Sequence, residues 1–240
     1  PDTLVVTDNL GTVYYRQRKF AQAEALWAKN LEVRRRVLGE QHPDTLDSVQ
    51  NLGAVYRAEG KFAEAEPLLS AAMTAKLRVL GDKHPFTFTS MLSLATLYHY
   101  EREYSKAEPL MVKAVEMQTR VLGQEHPDRL AGMNRLAALY SDEGKYAEAE
   151  ALFAGALKVQ RRVLGDDHLE TLSSWHGLGR LQLREHKYVE SELTLRAALK
   201  EYERVMPESW ERYNCQSMLG GSLEGQRRYT DAELLLISGY

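Results

Sequence analysis

A 42-residue period runs through the chain and limits its fold more than any other feature. Leu-Gly pairs stand at Leu38-Gly39, Leu80-Gly81, Leu122-Gly123 and Leu164-Gly165, each 42 residues after the last. His42, His84, His126 and His168 keep the same step, as do Glu66, Glu108, Glu150 and Glu192. Self-similarity at a fixed spacing of this size is the mark of stacked supersecondary units.

Each unit reads as two helices. Leu46, Val49, Leu52, Gly53 and Tyr56 recur at helical spacing and form one apolar stripe, which Gly60-Lys61 closes. We term this helix A. Phe62, Ala65, Leu68, Leu69, Ala72, Met73, Leu77 and Leu80 form a second, longer stripe, helix B, ending at Gly81, where a left-handed cap is expected. Pro43 then ends the turn, and Asp44 or Thr45 is expected to accept a bond from the free amides of the next helix. A hairpin of two such helices cannot cover both of its stripes by itself, so neighbouring hairpins must pack against it.

Six copies fit. Helix A is predicted near 3–17, 44–59, 86–101, 128–143, 170–185 and 210–225, and helix B near 20–38, 62–80, 104–122, 146–164, 188–206 and 229–240. The repeat units fall near 1–39, 40–81, 82–123, 124–165, 166–207 and 208–240, giving one all-α array. The last step shortens to 41 residues between Glu192 and Glu233. The opening Pro1-Asp2-Thr3-Leu4 matches Pro43-Asp44-Thr45-Leu46 without the preceding His, so the chain reads as part of a longer one. Pro67 and Pro109 lie about five residues inside helix B, where a small kink is expected, with the carbonyls of Ala63 and Ser105 left without a backbone partner.

Composition narrows the class of function. A net charge of −3 supplies no general attraction to nucleic acid or to an anionic membrane. Apolar runs are too short to span a bilayer and no signal segment is seen, so a cytoplasmic setting is expected. The single cysteine, Cys215, excludes an internal disulfide framework and is read as a small core hydrophobe. No nucleophile elbow, phosphate loop, dinucleotide fingerprint or zinc-ligand set is present, so neither an enzyme nor a cofactor is expected. The four repeated histidines stand too far apart to share a metal ion and are read as capping or packing residues. Arg36, Arg78, Arg120, Arg162 and Arg204 recur near the end of helix B, where a cation suits the helix dipole.

Leu52-Gly53, Tyr56, Gly60, Ala65, Leu69 and Ala72 stand at the spacings of the tetratricopeptide repeat, and the 42-residue period with its LG-x-x-HPDTL junction resembles the kinesin-light-chain variety. The sixth copy also resembles repeat regions at the C-terminus of bacterial serine/threonine protein kinases. The resemblance implies a right-handed superhelix with a concave groove lined by helix A, used to bind a protein or peptide. In related grooves asparagines hold the peptide backbone. This sequence keeps Asn9 and Asn51 at that position and then departs to Ser93, Arg135, Gly177 and Met218.

Residues that break the repeat carry the candidate specificity. Along the expected groove face stand Asp8, Asn9, Asp47, Gln50, Asn51, Arg57, His99, Tyr100, Asn134 and Arg135. In copy five His176, Arg180 and Arg184 are spaced by four residues and form one cationic line on a helix face. Ala138, Gly221 and Gly225 are expected to leave that line open, and Arg135 adds charge beside it. Guanidinium groups suit carboxylates, so an acidic peptide is the expected ligand, with Asn9, Asn51, Tyr100, Arg135, His176, Arg180 and Arg184 as contact residues. Two other functions are compatible with the pattern: an architectural spacer that associates end to end, and a nucleic-acid binder, which the net charge and the lack of interleaved aromatics disfavour.

Overall fold

The computed structural model describes residues 2–238, with side chains from residue 3 to 235. Twelve helices follow one another among the described residues, with no strand: α1 (Asp2–Arg16), α2 (Phe20–Leu38), α3 (Pro43–Ala58), α4 (Phe62–Leu80), α5 (Pro85–Tyr100), α6 (Tyr104–Leu122), α7 (Pro127–Glu143), α8 (Tyr146–Val163), α9 (Leu169–Arg184), α10 (Tyr188–Val205), α11 (Trp210–Gly225) and α12 (Tyr229–Ser238). Odd-numbered helices are the A helices and even-numbered the B helices of six hairpins. They gather into two compact units, Pro1–Val121 and Leu122–Tyr240.

The junctions explain why the period is held. His42, His84, His126 and His168 each precede a helix A in extended conformation, and each Nδ1 accepts the N–H two residues on, at 3.2 Å. The histidine is thus itself the N-cap. This corrects the expectation that Asp44 or Thr45 caps α3: Asp44 donates its backbone N–H, and Thr45 is fully buried. In copies three and five the equivalent threonines, Thr87 and Thr171, donate to the carbonyls of Gly81 and Gly165 at 2.7 Å. Those glycines have positive φ, but Gly81 combines φ 81° with ψ 174°. That region is open essentially to glycine alone, a stricter demand than the left-handed cap expected there.

In hairpins α1–α2, α3–α4 and α9–α10 the A and B helices approach closely. At the crossing stand Gly11, Gly53, Ala95, Ala137 and Gly179. A methyl added to Gly53 would lie 2.8 Å from Leu69, and one added to Gly179 2.6 Å from Leu195. The apolar stripes then meet across hairpins. Ala65 and Leu69 of α4 pack with Leu94 and Leu97 of α5, and Ala149, Phe153 and Leu157 of α8 pack with Leu172, Trp175, Leu178 and Leu181 of α9. Trp27 and Trp175 are core, whereas Trp210 and Leu77 are largely exposed. Cys215 is buried against the α10 backbone. Helices α4 and α6 continue through Pro67 and Pro109 as single elements.

Candidate functional site

The A helices present two rows of polar side chains, and only one of them is available to a ligand. Asp8, Asp47, Gln50 and Asn134, which the sequence places on the groove face, are instead tied into joints between hairpins. Arg34 of α2 is buried, reaching Asp8 at 2.6 Å and donating to Ser48 of α3 at 2.6 Å. One hairpin further on, Lys76 of α4 is fully buried; its Nζ donates to Asp47 at 2.5 Å and to Gln50 at 2.8 Å. Gln50 Oε1 also accepts from Ser90 of α5 at 2.7 Å. In the second unit Ser174 of α9 bonds both Gln160 of α8 and Asn134 of α7. Each joint joins the B helix of one hairpin to A helices on either side. The signal was present in the sequence: Arg34, Lys76, Gln118 and Gln160 are polar residues at one repeated position inside the helix B stripe.

A second set of ties uses the repeated glutamate. Burial and the nearby Glu24 carboxylate raise the Tyr56 phenol above its ordinary range, and Tyr98 donates to Glu66 at 3.0 Å. Lys187 reaches Glu150 at 2.8 Å, and Gln226 and Arg228 both reach Glu192. In every case the acceptor is on a B helix and the donor lies at the end of the following A helix or in the turn after it. A third set involves three of the five repeated arginines. Arg78 donates to Gln41, Arg162 to Glu125 and Arg204 to Asp167, each reaching back 37 residues to the loop before its own hairpin. These arginines fasten loops as well as ending helices.

What stays open on the A helices is narrower than the list of candidates. In the first unit Asn9 is exposed and Asn51 half-buried. Tyr100 is 63% exposed at the end of α5, but the Arg57 guanidinium lies over its ring at 5.4 Å. Arg57 also donates to Tyr15 at 3.1 Å, so Tyr15, Arg57 and Tyr100 form a mutual stack along three A helices.

In the second unit Arg135 is exposed on α7, and His176, Arg180 and Arg184 follow one another down α9. Arg184 is ion-paired with Asp142 and within bonding distance of Ser141, so the end of the cationic line is neutralised. His176 Nε2 donates to Asn214 Oδ1 at 2.7 Å. Burial, with a smaller contribution from Arg180 and against the Asn214 bond, holds its imidazole below the usual histidine range. Along this line Arg184 is thus paired with Asp142 and His176 is biased toward neutrality, with the Arg180 guanidinium between them. Of its expected small neighbours, Ala138 is half-buried and Gly221 faces only Leu183 at 3.6 Å. Gly225 does not serve the groove: any side chain there would collide with the Tyr188 ring. Gly177 is likewise filled by the Phe153 ring.

Among the described residues no group of three His, Cys, Asp or Glu side chains is placed to hold a metal ion, and no helix is long and apolar enough to cross a membrane. The tetratricopeptide-repeat family model matches residues 2–77, 46–120 and 128–204. The chain belongs to the tetratricopeptide-repeat family. It is an all-α helical-repeat solenoid, and arrays of this family are in general protein-interaction modules. Solved structures agree on the kinesin-light-chain type. A Podosopora anserina protein assigned to the kinesin light chains, with nearly identical TPR-like repeats, is 27% identical with a TM-score of 0.71, covering 82% of this chain and 94% of that one. BtubC of P. vanneervenii shares the fold at 19% identity and a TM-score of 0.76, over 92% of this chain and 89% of its own. The apo form of RapI shares it at 12% identity and a TM-score of 0.70, over 95% and 81%. Comparison with curated proteins finds no match.

Proposed function

We propose that this tetratricopeptide array captures an acidic peptide segment along the open face of its A helices, with Arg180 as the principal anchor. One observation carries the reading. At the repeated position of Arg180 the other copies have Thr12, Ala54, Thr96, Ala138 and Gly221, so a long cation stands where every other copy has a short side chain. A planar guanidinium at this position suits a ligand carboxylate through two parallel N–H donors. Arg135 on α7 adds positive charge, and His176 with Asn214 supplies a neutral hydrogen-bonding pair. Arg184 contributes less, because Asp142 already neutralises it. In the first unit Asn9 and Asn51 are the groups suited to a ligand backbone, and the exposed rim of Tyr100 to an apolar side chain.

A fluorescein-labelled peptide rich in glutamate, followed by anisotropy at rising salt, tests the anchor. Arg180→Ala is expected to weaken binding at least tenfold and to flatten its salt dependence, whereas Arg184→Ala changes affinity less than threefold. Equal affinity for the wild type and Arg180→Ala would overturn the assignment.

A further inference from the structure

Helix α4 breaks the repeat on its solvent side. Where α2 carries Lys29, Glu32 and Val33, and α6 carries Lys113, Glu116 and Met117, α4 has Ala71, Thr74 and Ala75. With Ser70 these short side chains wall a groove of about 570 Å³, floored by Leu46 and Val49 of α3 and by Leu68. Leu46 and Val49 lie on the far side of α3 from Asn51, so the groove is separate from the open face of the A helices. It runs along α4 from Pro67 to Arg78, about 16 Å or three helical turns. Its charged lining residues are Arg35, Glu40 and Arg78. Arg35 is paired with Glu40 at 3.1 Å, whereas Arg78 bonds the neutral side-chain amide of Gln41. The equivalent Arg162 and Arg204 meet the carboxylates of Glu125 and Asp167, so the arginine at this groove keeps a charge that theirs have balanced.

We infer that this groove docks an amphipathic helix of a partner protein, about three turns long, with an apolar stripe and a carboxylate in its first turn. Backbone hydrogen bonding selects a helix. An extended segment would lay N–H and C=O groups over Leu46, Val49 and Leu68, with only the Ser70 and Thr74 hydroxyls and the already bonded Gln41 amide to meet them. A helix satisfies its own backbone. Short side chains on α4 let a second helix axis come near, because the residues at the contact set the interaxial distance. Large apolar side chains of the partner then reach the floor of Leu46, Val49 and Leu68. The unbalanced Arg78 calls for a carboxylate, and a carboxylate is best placed in the first turn of its own helix. Arg78 stands in the last turn of α4, so the partner helix runs antiparallel to α4.

A labelled, stapled three-turn helix with a leucine stripe and a glutamate in its first turn provides the probe, beside a second form with glutamine in place of the glutamate. Anisotropy with the intact chain is expected to show saturable binding of the glutamate form. Arg78→Gln in the chain weakens that form severalfold and leaves the glutamine form unchanged. Ala71→Lys with Thr74→Glu installs the residues of α2 and α6 and weakens both forms at least tenfold. Both positions are exposed, so the thermal melt of this variant stays that of the parent chain. Arg180→Ala leaves the binding unchanged, which separates this groove from the acidic-peptide site on the A helices. The proposal is overturned by no binding at the solubility limit of the probe, by full affinity in the Ala71→Lys, Thr74→Glu variant, by an equal effect of Arg78→Gln on both forms, or by loss of binding in Arg180→Ala. A concentration-dependent dimer of the chain alone that Ala71→Lys with Thr74→Glu dissociates would overturn it as well, assigning the groove to a second copy.

Discussion

Removing the partner of the buried lysine puts the joint to its most direct test. Lys76 has no solvent exposure, and burial holds its ammonium below the ordinary lysine range, with Asp47 opposing the shift. Asp47→Asn leaves a buried cation with the Gln50 bond at 2.8 Å but without its counter-charge. Losing one partner of a buried pair costs about 3–5 kcal/mol. Because the Asp47 side chain is 33% exposed and Gln50 remains, the cost falls below that range, to about 2–3 kcal/mol. Lys76→Gln installs the residue that copies three and four use, Gln118 and Gln160, and should change stability by no more than about 1 kcal/mol. The pH dependence follows from a depressed folded pKa. Between that pKa and the ordinary lysine value the unfolded chain binds more protons, so stability rises with pH across this window and the penalty is complete below it. Asp47→Asn depresses the pKa further, so its deficit shrinks as the solution is made alkaline. Urea melts by circular dichroism, with hydrogen exchange of α3 and α4 peptides, report both effects. An Asp47→Asn loss under about 0.5 kcal/mol, or a Lys76→Gln loss exceeding that of Asp47→Asn, would refute the reasoning.

Three further outcomes are expected. Gly177→Ala drives a methyl into the Phe153 ring and should cost about 1–3 kcal/mol, while Gly221→Ala, facing only Leu183 at 3.6 Å, should be neutral or stabilising by up to about 1 kcal/mol in thermal melts. Lys83 occupies the position from which Gln41, Glu125 and Asp167 receive an arginine, so Lys83→Glu should give Arg120 the matching tie. The gain is up to about 1 kcal/mol and should fade at 1 M salt. Burial pushes the Cys215 thiol up to about 12, so a disulfide reagent at pH 8 should label the native chain only at the rate of opening. Fast labelling of folded protein would contradict the placement of Cys215 in the core.

How far the fold was legible follows from the repeat itself. Helix limits expected from the period agree with α1 to α11 to within one or two residues, because glycine, histidine and proline punctuate each junction at fixed places. The cap was assigned to the wrong residue for a local reason. Asp and Thr are common cap residues, yet at these junctions His42 and its counterparts already supply the acceptor. The candidate site was less legible. Reading the A helices as an inner and an outer face left Gln50 and Asn134 in the groove, whereas B helices approaching from the side bury both. Asp142, among the groove-face residues of copy four, is a sequence-level candidate to neutralise the cationic line, and the fold brings it to Arg184 from another hairpin 42 residues away.

The sequence by itself determined the helical hairpin, its six-fold recurrence and its capping glycines and histidines, since these depend on spacing and backbone freedom within a single unit. Tertiary structure decided which polar residues are spent on joints and which remain for a ligand. That outcome depends on side chains from three helices converging on one point, as Lys76, Gln50 and Ser90 do, and a one-dimensional pattern records the positions of such residues but not their meeting.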